Sequence, residues 1–397
     1  MRPLQEATLA ALCAASKLAA RGHEAALVGG AVRDLFLGRE STEADLATSA
    51  STEEILELWP GAPVVGCPPA ATVIIGFGGY RVDISSFQGD TLAEDLGRRD
   101  LTINAMAVSI DGTIVDPWEG RADLARRLLR FTGDPLERLT SDPLRAVRLA
   151  RFASELPGFS IDPVSWEACR GFASRVSSMP LPRIGREIFK ALAGDLPAFL
   201  DTLEEKGLLA SVLPFWEGVT ADRRAATLDR IRRACSLTDD RTVRAACLLA
   251  EDSEGIAATV SAWSWPKGMA GETKNLVRYR SAALYGADAG FWAGLYRSRG
   301  ARWLGRLFLF GYIESLERGP TAAEAWAESR RSSAAFILRL QSFGRRITGE
   351  EVMALTGLKD GPEVGEILAD LDGAIALGEV KDRYQALRRV FNRGKRV

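Results

Sequence analysis

The sequence predicts a mixed α/β head followed by an all-α remainder, and three observations carry that division. Apolar runs of strand length, such as Ala25 to Val28 and Tyr80 to Phe87, fall within residues 1–130 and alternate with helical patterns. From Asp134 onward the apolar spacing is helical almost without interruption. The breaks in that second part, Leu156-Pro157-Gly158, Met179-Pro180-Leu181-Pro182, Leu213-Pro214 and Trp265-Pro266-Lys267-Gly268, carry the proline that ends or starts helices.

A chain of 397 residues can hold two or three domains and a substantial core. Hydrophobic content of 47% and charged content of 26% are those of an ordinary soluble protein. No stretch is long and apolar enough to span a bilayer, so no membrane partner is expected. The first 22 residues read as a charged amphipathic helix rather than a secretion signal. Cys13, Cys67, Cys169, Cys235 and Cys247 are scattered, odd in number and form no C-x-x-C, as buried thiols in a reducing cytoplasm would. His23 is the sole histidine, so chemistry here must rest on carboxylates and metal rather than imidazole. With 51 basic residues and a net charge of −1, any contact with RNA must come from local patches.

Within the head, Ala25 to Val28 reads as a buried strand that runs straight into Gly29-Gly30. Such a turn leaves backbone amides open to phosphate oxygens. Ala31 to Leu37 continues as a helix with Val32, Leu35 and Phe36 facing inward, stopped by Gly38. In Glu43-Ala44-Asp45-Leu46, strand alternation puts the two carboxylates on one face and the apolar residues on the other. Neighbouring carboxylates repel unless a cation joins them, and magnesium takes oxygen ligands that it shares with substrate phosphates. Alternation in Tyr80 to Phe87 turns Asp83 to the side opposite Val82 and Ile84, as a third metal-side carboxylate would be. Arg98-Arg99-Asp100 and Asn104 then enter an apolar helix, a set able to bind a triphosphate and a ribose.

Gly29-Gly30-Ala31-Val32-Arg33-Asp34, the acidic pair before Leu46-Ala47-Thr48, and Arg98-Arg99-Asp100-Leu101-Thr102-Ile103-Asn104-Ala105-Met106 together resemble the catalytic head of class II tRNA nucleotidyltransferases. That family holds CCA-adding, CC-adding and A-adding enzymes and bacterial poly(A) polymerases. The resemblance continues through Asp116-Pro117, Gly120, Asp123-Leu124 and Asp142-Pro143-Leu144-Arg145 to Arg151-Phe152, and returns weakly at Gly349 to Leu358 and Gly361 to Gly365. It implies a nucleotidyltransferase head (1–130), a helical neck with the nucleotide-selecting helix (131–200), a helical body (201–270) and a tRNA-binding tail (271–397), in the family's seahorse-like order.

The resemblance also implies the chemistry. A tRNA 3′-hydroxyl attacks the α-phosphate of a nucleoside triphosphate, with Mg2+ held by Glu43 and Asp45 and Asp83 as a third catalytic carboxylate. Gly29, Gly30, Arg33 and Asp34 shape the phosphate turn, and Arg99, Asp100 and Asn104 fix triphosphate and sugar. Asp142 and Arg145 match the two residues that pair with the incoming base. Asp142 also stands as an N-cap before Pro143, and spacing by three sets Asp142, Arg145, Arg148 and Arg151 in one row. For tRNA, the residues themselves offer Arg278, Arg280, Arg297, Arg299 and Arg302, interleaved with Tyr279, Trp292, Tyr296 and Trp303, although those aromatics suit a core equally well. A second basic run, Arg388 to Arg396, closes the chain.

Three departures from the family pattern stand out. Glu43 replaces the first metal-ligand Asp, and Ser141 replaces the Glu beside the base-pairing Asp. The long flexible segment expected after Phe87-Gln88 is cut to Gly89-Asp90. CC-adding relatives lack that segment, which in the others helps the base site switch to ATP. The expectation is therefore a CC-adding enzyme that uses CTP and passes its product to a separate A-adding enzyme. A full CCA-adding enzyme using CTP and ATP, or a catalytically weak RNA-binding descendant, fits the same residues less well, and poly(A) polymerase is disfavoured because its strongly basic extension is missing.

Overall fold

Ala25-Ala26-Leu27-Val28 carries no polar side chain, and the strand it forms is fully buried near the middle of a seven-stranded sheet. The computed structural model describes residues 6–40, 43–66, 71–252, 255–344 and 346–394. They form two compact units, Met1–Pro214 and Phe215–Val397.

In the first unit, α1 (Glu6–Ala19) lays an alanine-rich face, Ala7, Ala10, Ala11, Ala14 and Ala15, against the sheet. There follow β1 (Ala25–Val28), α2 (Gly30–Leu37), β2 (Glu43–Thr48), α3 (Thr52–Leu58), β3 (Val64–Val65), β4 (Thr72–Phe77), β5 (Tyr80–Ser86), α4 (Leu92–Gly97), β6 (Ala107–Ser109), β7 (Ile114–Val115) and α5 (Gly120–Arg126). The strand order is β3-β4-β5-β2-β1-β6-β7. β2 and β5 run parallel with Glu43 beside Arg81 and Asp45 beside Asp83, whereas the remaining pairs of this sheet are antiparallel. That register brings two acidic strands side by side at one end of the sheet.

One inward-facing expectation fails here. α2 buries Ala31 and Val32, but Phe36 is 40% exposed and carries the Arg121 guanidinium over its ring at 5.6 Å. The helix is only eight residues long and ends at Gly38, whose φ of 66° is left-handed, so its last turn runs off the sheet.

The helical part of this unit comprises β8 (Leu128–Leu129), α6 (Pro135–Ser141), α7 (Leu144–Glu155), β9 (Ser160–Ile161), α8 (Pro163–Ala168), α9 (Ala173–Ser177), α10 (Leu181–Ala191), α11 (Leu196–Glu205) and α12 (Leu209–Val212). β8 and β9 pair in parallel, and β9 lies inside a stretch that reads as helical because a two-residue strand shows no alternation. α7 packs on α10 and α11. α10 buries Ile184, Ile188 and Ala191 on one side, which turns Arg183, Arg186 and Lys190 to the other.

The second unit is helical throughout its described residues: α13 (Ala221–Leu237), α14 (Arg241–Leu249), α15 (Ile256–Ala262), α16 (Lys267–Arg278), α17 (Arg280–Tyr285), α18 (Ala289–Arg318), α19 (Pro320–Ser342), α20 (Gly349–Thr356), α21 (Pro362–Leu377) and α22 (Arg383–Gly394). Of the four proline-marked breaks, the one at Trp265-Pro266 separates α15 from α16, those at Met179-Pro180 and Leu213-Pro214 open α10 and close α12, and Leu156-Pro157-Gly158 leads from α7 into β9 rather than into a helix. α18 is broken at Gly300, where φ is 77° and ψ is 173°. The C-terminal core of this unit gathers Ala289, Leu340, Val352, Ile367, Leu371 and Ile375.

The cysteines are less uniform than their spacing suggests. Cys169 and Cys247 are buried, and burial pushes the Cys169 thiol up to about 12. Cys13 is exposed on the outer side of α1 and Cys235 is half-buried, while Cys67 lies outside the described residues.

Candidate active site

The β1–α2 turn forms the floor of a cleft of about 610 Å3, and Gly29 is indispensable to its shape. Its φ of 69° and ψ of −136° lie where side chains are strained, and a Cβ there would come within 2.9 Å of Arg99 Nη1 and 3.3 Å of Asp45 Oδ2. Gly30 is ordinary helical backbone, with only the Arg33 guanidinium 3.6 Å from a Cβ built on it. Arg33, one turn into α2, grips its neighbour Asp34 through Nε at 2.9 Å and Nη2 at 3.0 Å. Its Nη1 donates to Asn104 Oδ1 at 2.8 Å.

Asn104 in turn donates to Asp100 Oδ1 at 3.0 Å, and the Leu101 amide donates to the same oxygen at 2.8 Å. Arg148 Nε and Nη2 close on Asp100 Oδ2 at 2.7 and 2.6 Å. Asp100 is buried, which by itself opposes ionisation. The Arg148 guanidinium and the amide donors overcome that and hold its carboxyl well below the usual carboxylate range. Arg99 is held by Asp95 Oδ2 at 3.1 Å, placing its far end beside Gly29 and Asp45.

On β2, Ala44 and Leu46 are 1% exposed, so alternation leaves Glu43 and Asp45 open on the cleft side. Withdrawal from bulk water raises the Asp45 carboxyl above its ordinary range. Arg99 opposes that effect, whereas Asp83 and Glu43 add to it. A pair of oxygen donors that repel each other in this way suits a hard divalent cation. Asp83 points away from Val82 and Ile84 as expected, yet it is not among the residues lining the cleft. Arg81 holds both its oxygens at 2.7 Å and reaches Glu43 Oε1 at 3.7 Å.

The helical wall carries Asp142, Arg145, Arg148 and Arg151, all lining the cleft. Pro143 is the boundary residue of α7, and Asp142 caps from one position earlier, its Oδ1 accepting from the Leu144 amide at 3.3 Å. Asp142 Oδ2 accepts from Arg183 Nη2 at 2.8 Å. The Arg145 amide donates to the Asp142 carbonyl at 3.1 Å, but its guanidinium turns elsewhere: Nη2 donates to the Arg98 carbonyl at 2.6 Å and Nη1 to the Arg138 carbonyl at 3.3 Å. Arg151 is buried and donates to Glu187 and Glu155, with Phe152 4.0 Å beneath it.

Sequence reasoning missed the α10 wall, Arg183, Arg186, Glu187 and Lys190, and the clamp residue Arg81. The wall had a signal: in Leu181 to Ala191 these four polar residues recur at steps of three and four, opposite Ile184 and Ile188. Asp116 and Asp123 are framework. Asp116 caps α5 through the Gly120 amide at 2.7 Å, and buried Asp123 accepts from Thr102 at 2.6 Å and Arg130 at 2.9 Å.

In the second unit, the five candidate RNA-binding arginines divide. Arg280 donates to the Ala250 carbonyl and lies 3.7 Å from buried Glu314, and Arg297 donates to the Leu368 carbonyl and pairs with buried Asp372 at 2.5 Å. Arg278, Arg299 and Arg302 are exposed. Trp292 and Trp303 are core, at 0% and 4% exposure.

A family model described as "Poly A polymerase head domain" matches residues 25–65 and 73–130, and one described as "Probable RNA and SrmB-binding site of polymerase A" matches residues 158–218. The chain is 30% identical over 395 residues to the CCA-adding enzyme of Geobacillus kaustophilus, covering 94% of this chain and 93% of that one. It is 29% identical over 376 residues to the CC-adding tRNA nucleotidyltransferase of Halalkalibacterium halodurans, with 94% of each covered. Among solved structures, the Bacillus stearothermophilus CCA-adding enzyme in complex with CTP superposes with a TM-score of 0.71 at 27% identity, covering 99% of this chain and 98% of that one.

Proposed function

The chain belongs to the class II tRNA nucleotidyltransferase family, and on that footing we propose that it adds two cytidines from CTP to tRNA 3′ ends and then stops. It is a tRNA 3′-end nucleotidyltransferase, and the restriction to cytidine is the inference. The observation that carries it is the link from β5 to α4. Only Gly89 and Asp90 separate Gln88 from Thr91. The Gln88 amide donates to Asp95 Oδ1 at 3.0 Å, the Asp90 amide to Glu94 Oε2 at 2.8 Å, and Thr91 caps the Glu94 amide at 3.2 Å. A turn tied down at three points has no free length with which to reshape the base site for ATP. A separate A-adding enzyme would then complete the end, in the cytoplasm.

The division of labour follows from the donors present. Asp142 accepts from the exocyclic amino group of cytosine, and the Arg145 guanidinium donates to its carbonyl and ring nitrogen. Arg148 and Arg151 extend that row of positive charge. The Gly29–Gly30 turn, Arg33 with Asp34, and Arg99 receive the triphosphate, and Asp100 with Asn104 orders the sugar side. Glu43 and Asp45 would hold Mg2+, which supplies electrostatic stabilisation of the reacting phosphate and activation of the attacking hydroxyl. Asp83, clamped by Arg81, serves as the third carboxylate by fixing the central β2–β5 pair beside Glu43 and Asp45. On this reading the head, neck, body and tail are 1–130, 131–200, 201–270 and 271–397, with Arg278, Arg299 and Arg302 turned to meet tRNA and Arg280 and Arg297 engaged by the buried carboxylates of Glu314 and Asp372.

The test is incorporation into tRNA ending at the discriminator base, with magnesium, CTP and ATP, and products resolved at single-nucleotide length. Two added cytidines and no adenosine is the expected result. A terminal adenosine overturns the cytidine restriction and favours the full CCA-adding reading. No incorporation by the native chain, with activity appearing in Glu43→Asp, places the fault at the metal-side carboxylates. Silence in both leaves an RNA-binding protein.

A further inference from the structure

Charge pairing in the cleft is nearly complete, and the exceptions lie together. Arg33, Arg99, Arg148, Arg151 and Arg183 each rest on a carboxylate, and Arg145 rests on two carbonyls. Arg186 and Lys190 line the same cleft, are exposed, and among the described residues make no hydrogen bond or ion pair. They stand four residues apart on α10 and therefore project from one face, one turn apart. We propose that Arg186 and Lys190 form a phosphate-binding subsite for the 3′-terminal backbone of the RNA substrate. The inference rests on the transferase reading above and assigns the approach of its RNA.

Placement favours RNA over the nucleoside triphosphate. The triphosphate already has donors on the sheet side, at the Gly29–Gly30 turn and Arg99, whereas α10 lines the cleft from the helical side. In-line displacement requires the attacking hydroxyl to arrive opposite the departing pyrophosphate, so the RNA end comes in away from the turn. Lys190 lies within electrostatic reach of Asp45, where that hydroxyl must be delivered. Desolvation by the surrounding cleft walls, and then the Arg151 and Arg148 charges, lower the Lys190 ammonium, with Glu187 and Glu155 opposing only in part. With Arg186, Arg148 and Arg151 beside it in the cleft and, among the described residues, no carboxylate paired to either Arg186 or Lys190, the spot suits a phosphodiester.

The experiment compares the full chain with Arg186→Gln/Lys190→Gln by fluorescence anisotropy of a labelled tRNA minihelix ending at the discriminator base, in a salt series without CTP. CTP affinity is measured separately by calorimetry. The expected result is about a tenfold loss of minihelix affinity and a shallower log–log salt dependence, by about 0.7 for each single-strand phosphate contact removed, with CTP affinity unchanged. Arg186→Lys/Lys190→Arg, which keeps both charges, restores binding, and an unchanged melting temperature shows that the fold is intact. Unchanged minihelix affinity and salt slope overturn the proposal. Loss of CTP affinity alone overturns it too and gives the pair to the triphosphate. A native chain that transfers no cytidine, while the variant still loses the minihelix, sinks the transferase reading and leaves the RNA subsite standing.

Discussion

Replacing Gly29 by alanine tests the link between backbone shape and phosphate chemistry. The new Cβ would sit in backbone of φ 69° and ψ −136°, a region costing an L-residue about 1–3 kcal/mol. It would also press on Arg99 Nη1 at 2.9 Å. That atom ends a flexible side chain, but Asp95 Oδ2 holds the same guanidinium through Nε at 3.3 Å and Nη2 at 3.1 Å, so relief comes by turning the group away from the glycine turn against that pair. A charge-assisted hydrogen bond to phosphate is worth about 1.5–3 kcal/mol, so kcat/KM for CTP should fall by about 10- to 150-fold. Gly30→Ala is the internal comparison: its backbone is helical, a Cβ there meets only the Arg33 guanidinium at an ordinary 3.6 Å, and the substitution should stabilise the free protein by about 0.4–1 kcal/mol. Thermal melting and steady-state incorporation read both. If Gly29→Ala matches the native chain in stability and in kcat/KM for CTP, the assignment of Arg99 to the triphosphate through this turn is wrong.

Asp100→Asn removes the charge facing Arg148 and should cost about 3 kcal/mol at neutral pH in urea unfolding, the low end for a broken buried pair because Glu187 stays 3.4 Å from Arg148. The folded pKa of Asp100 lies below its unfolded value, so the native contribution is complete above about pH 4 and fades as pH falls; the gap between native and variant should narrow in acid. Arg183→Ala removes the partner of Asp142 and should weaken discrimination between CTP and other nucleotides, measured as kcat/KM ratios, while changing stability little because Arg183 is 39% exposed. Arg280→Ala should destabilise by about 1–3 kcal/mol in urea, since Glu314, whose pKa burial already raises, loses a cation and is 1% exposed.

What the sequence disclosed and what it hid follow one rule. Periodicity reveals the face a residue takes, so Glu43, Asp45 and Asp83 and the row from Asp142 to Arg151 were legible. Partners are set by register and helix packing, which periodicity does not encode. Arg81 and Asp83 share a face by simple alternation, yet only the β2–β5 register brings Glu43 to the same guanidinium. The α10 stripe was visible as a pattern, but nothing in its spacing says that α7 lies opposite. Arg280 and Arg297 look like Arg299 and Arg302 in a basic run. The difference is that α17 and α18 bring the first two against Glu314 and Asp372. Phe36 misleads for the opposite reason, because apolar spacing over eight residues cannot say where the sheet ends beneath them.

The serine at position 141 looks at first like a weakened base-reading site, because Arg145 loses a neighbouring carboxylate. The geometry supplies a different support. Arg145 is fixed by the carbonyls of Arg98 and Arg138, and Arg138 lies in α6, whose C-terminal end carries partial negative charge. Carbonyls orient a guanidinium without neutralising it, so Arg145 keeps its full charge for the acceptors of cytosine. The nearby carboxylate of Asp142 is itself held by Arg183 from α10. The two halves of the reader are therefore anchored independently, one to the backbone of the head and α6, the other to a side chain of α10. For the pair to match one base as proposed, the sheet region and α6 to α10 must keep their relative position, and the tied-down turn at Gly89-Asp90 adds to that rigidity through Asp95, which also holds Arg99. Under the proposed cytidine restriction, a reader fixed at so many points suits one pyrimidine and resists exchanging it for a purine.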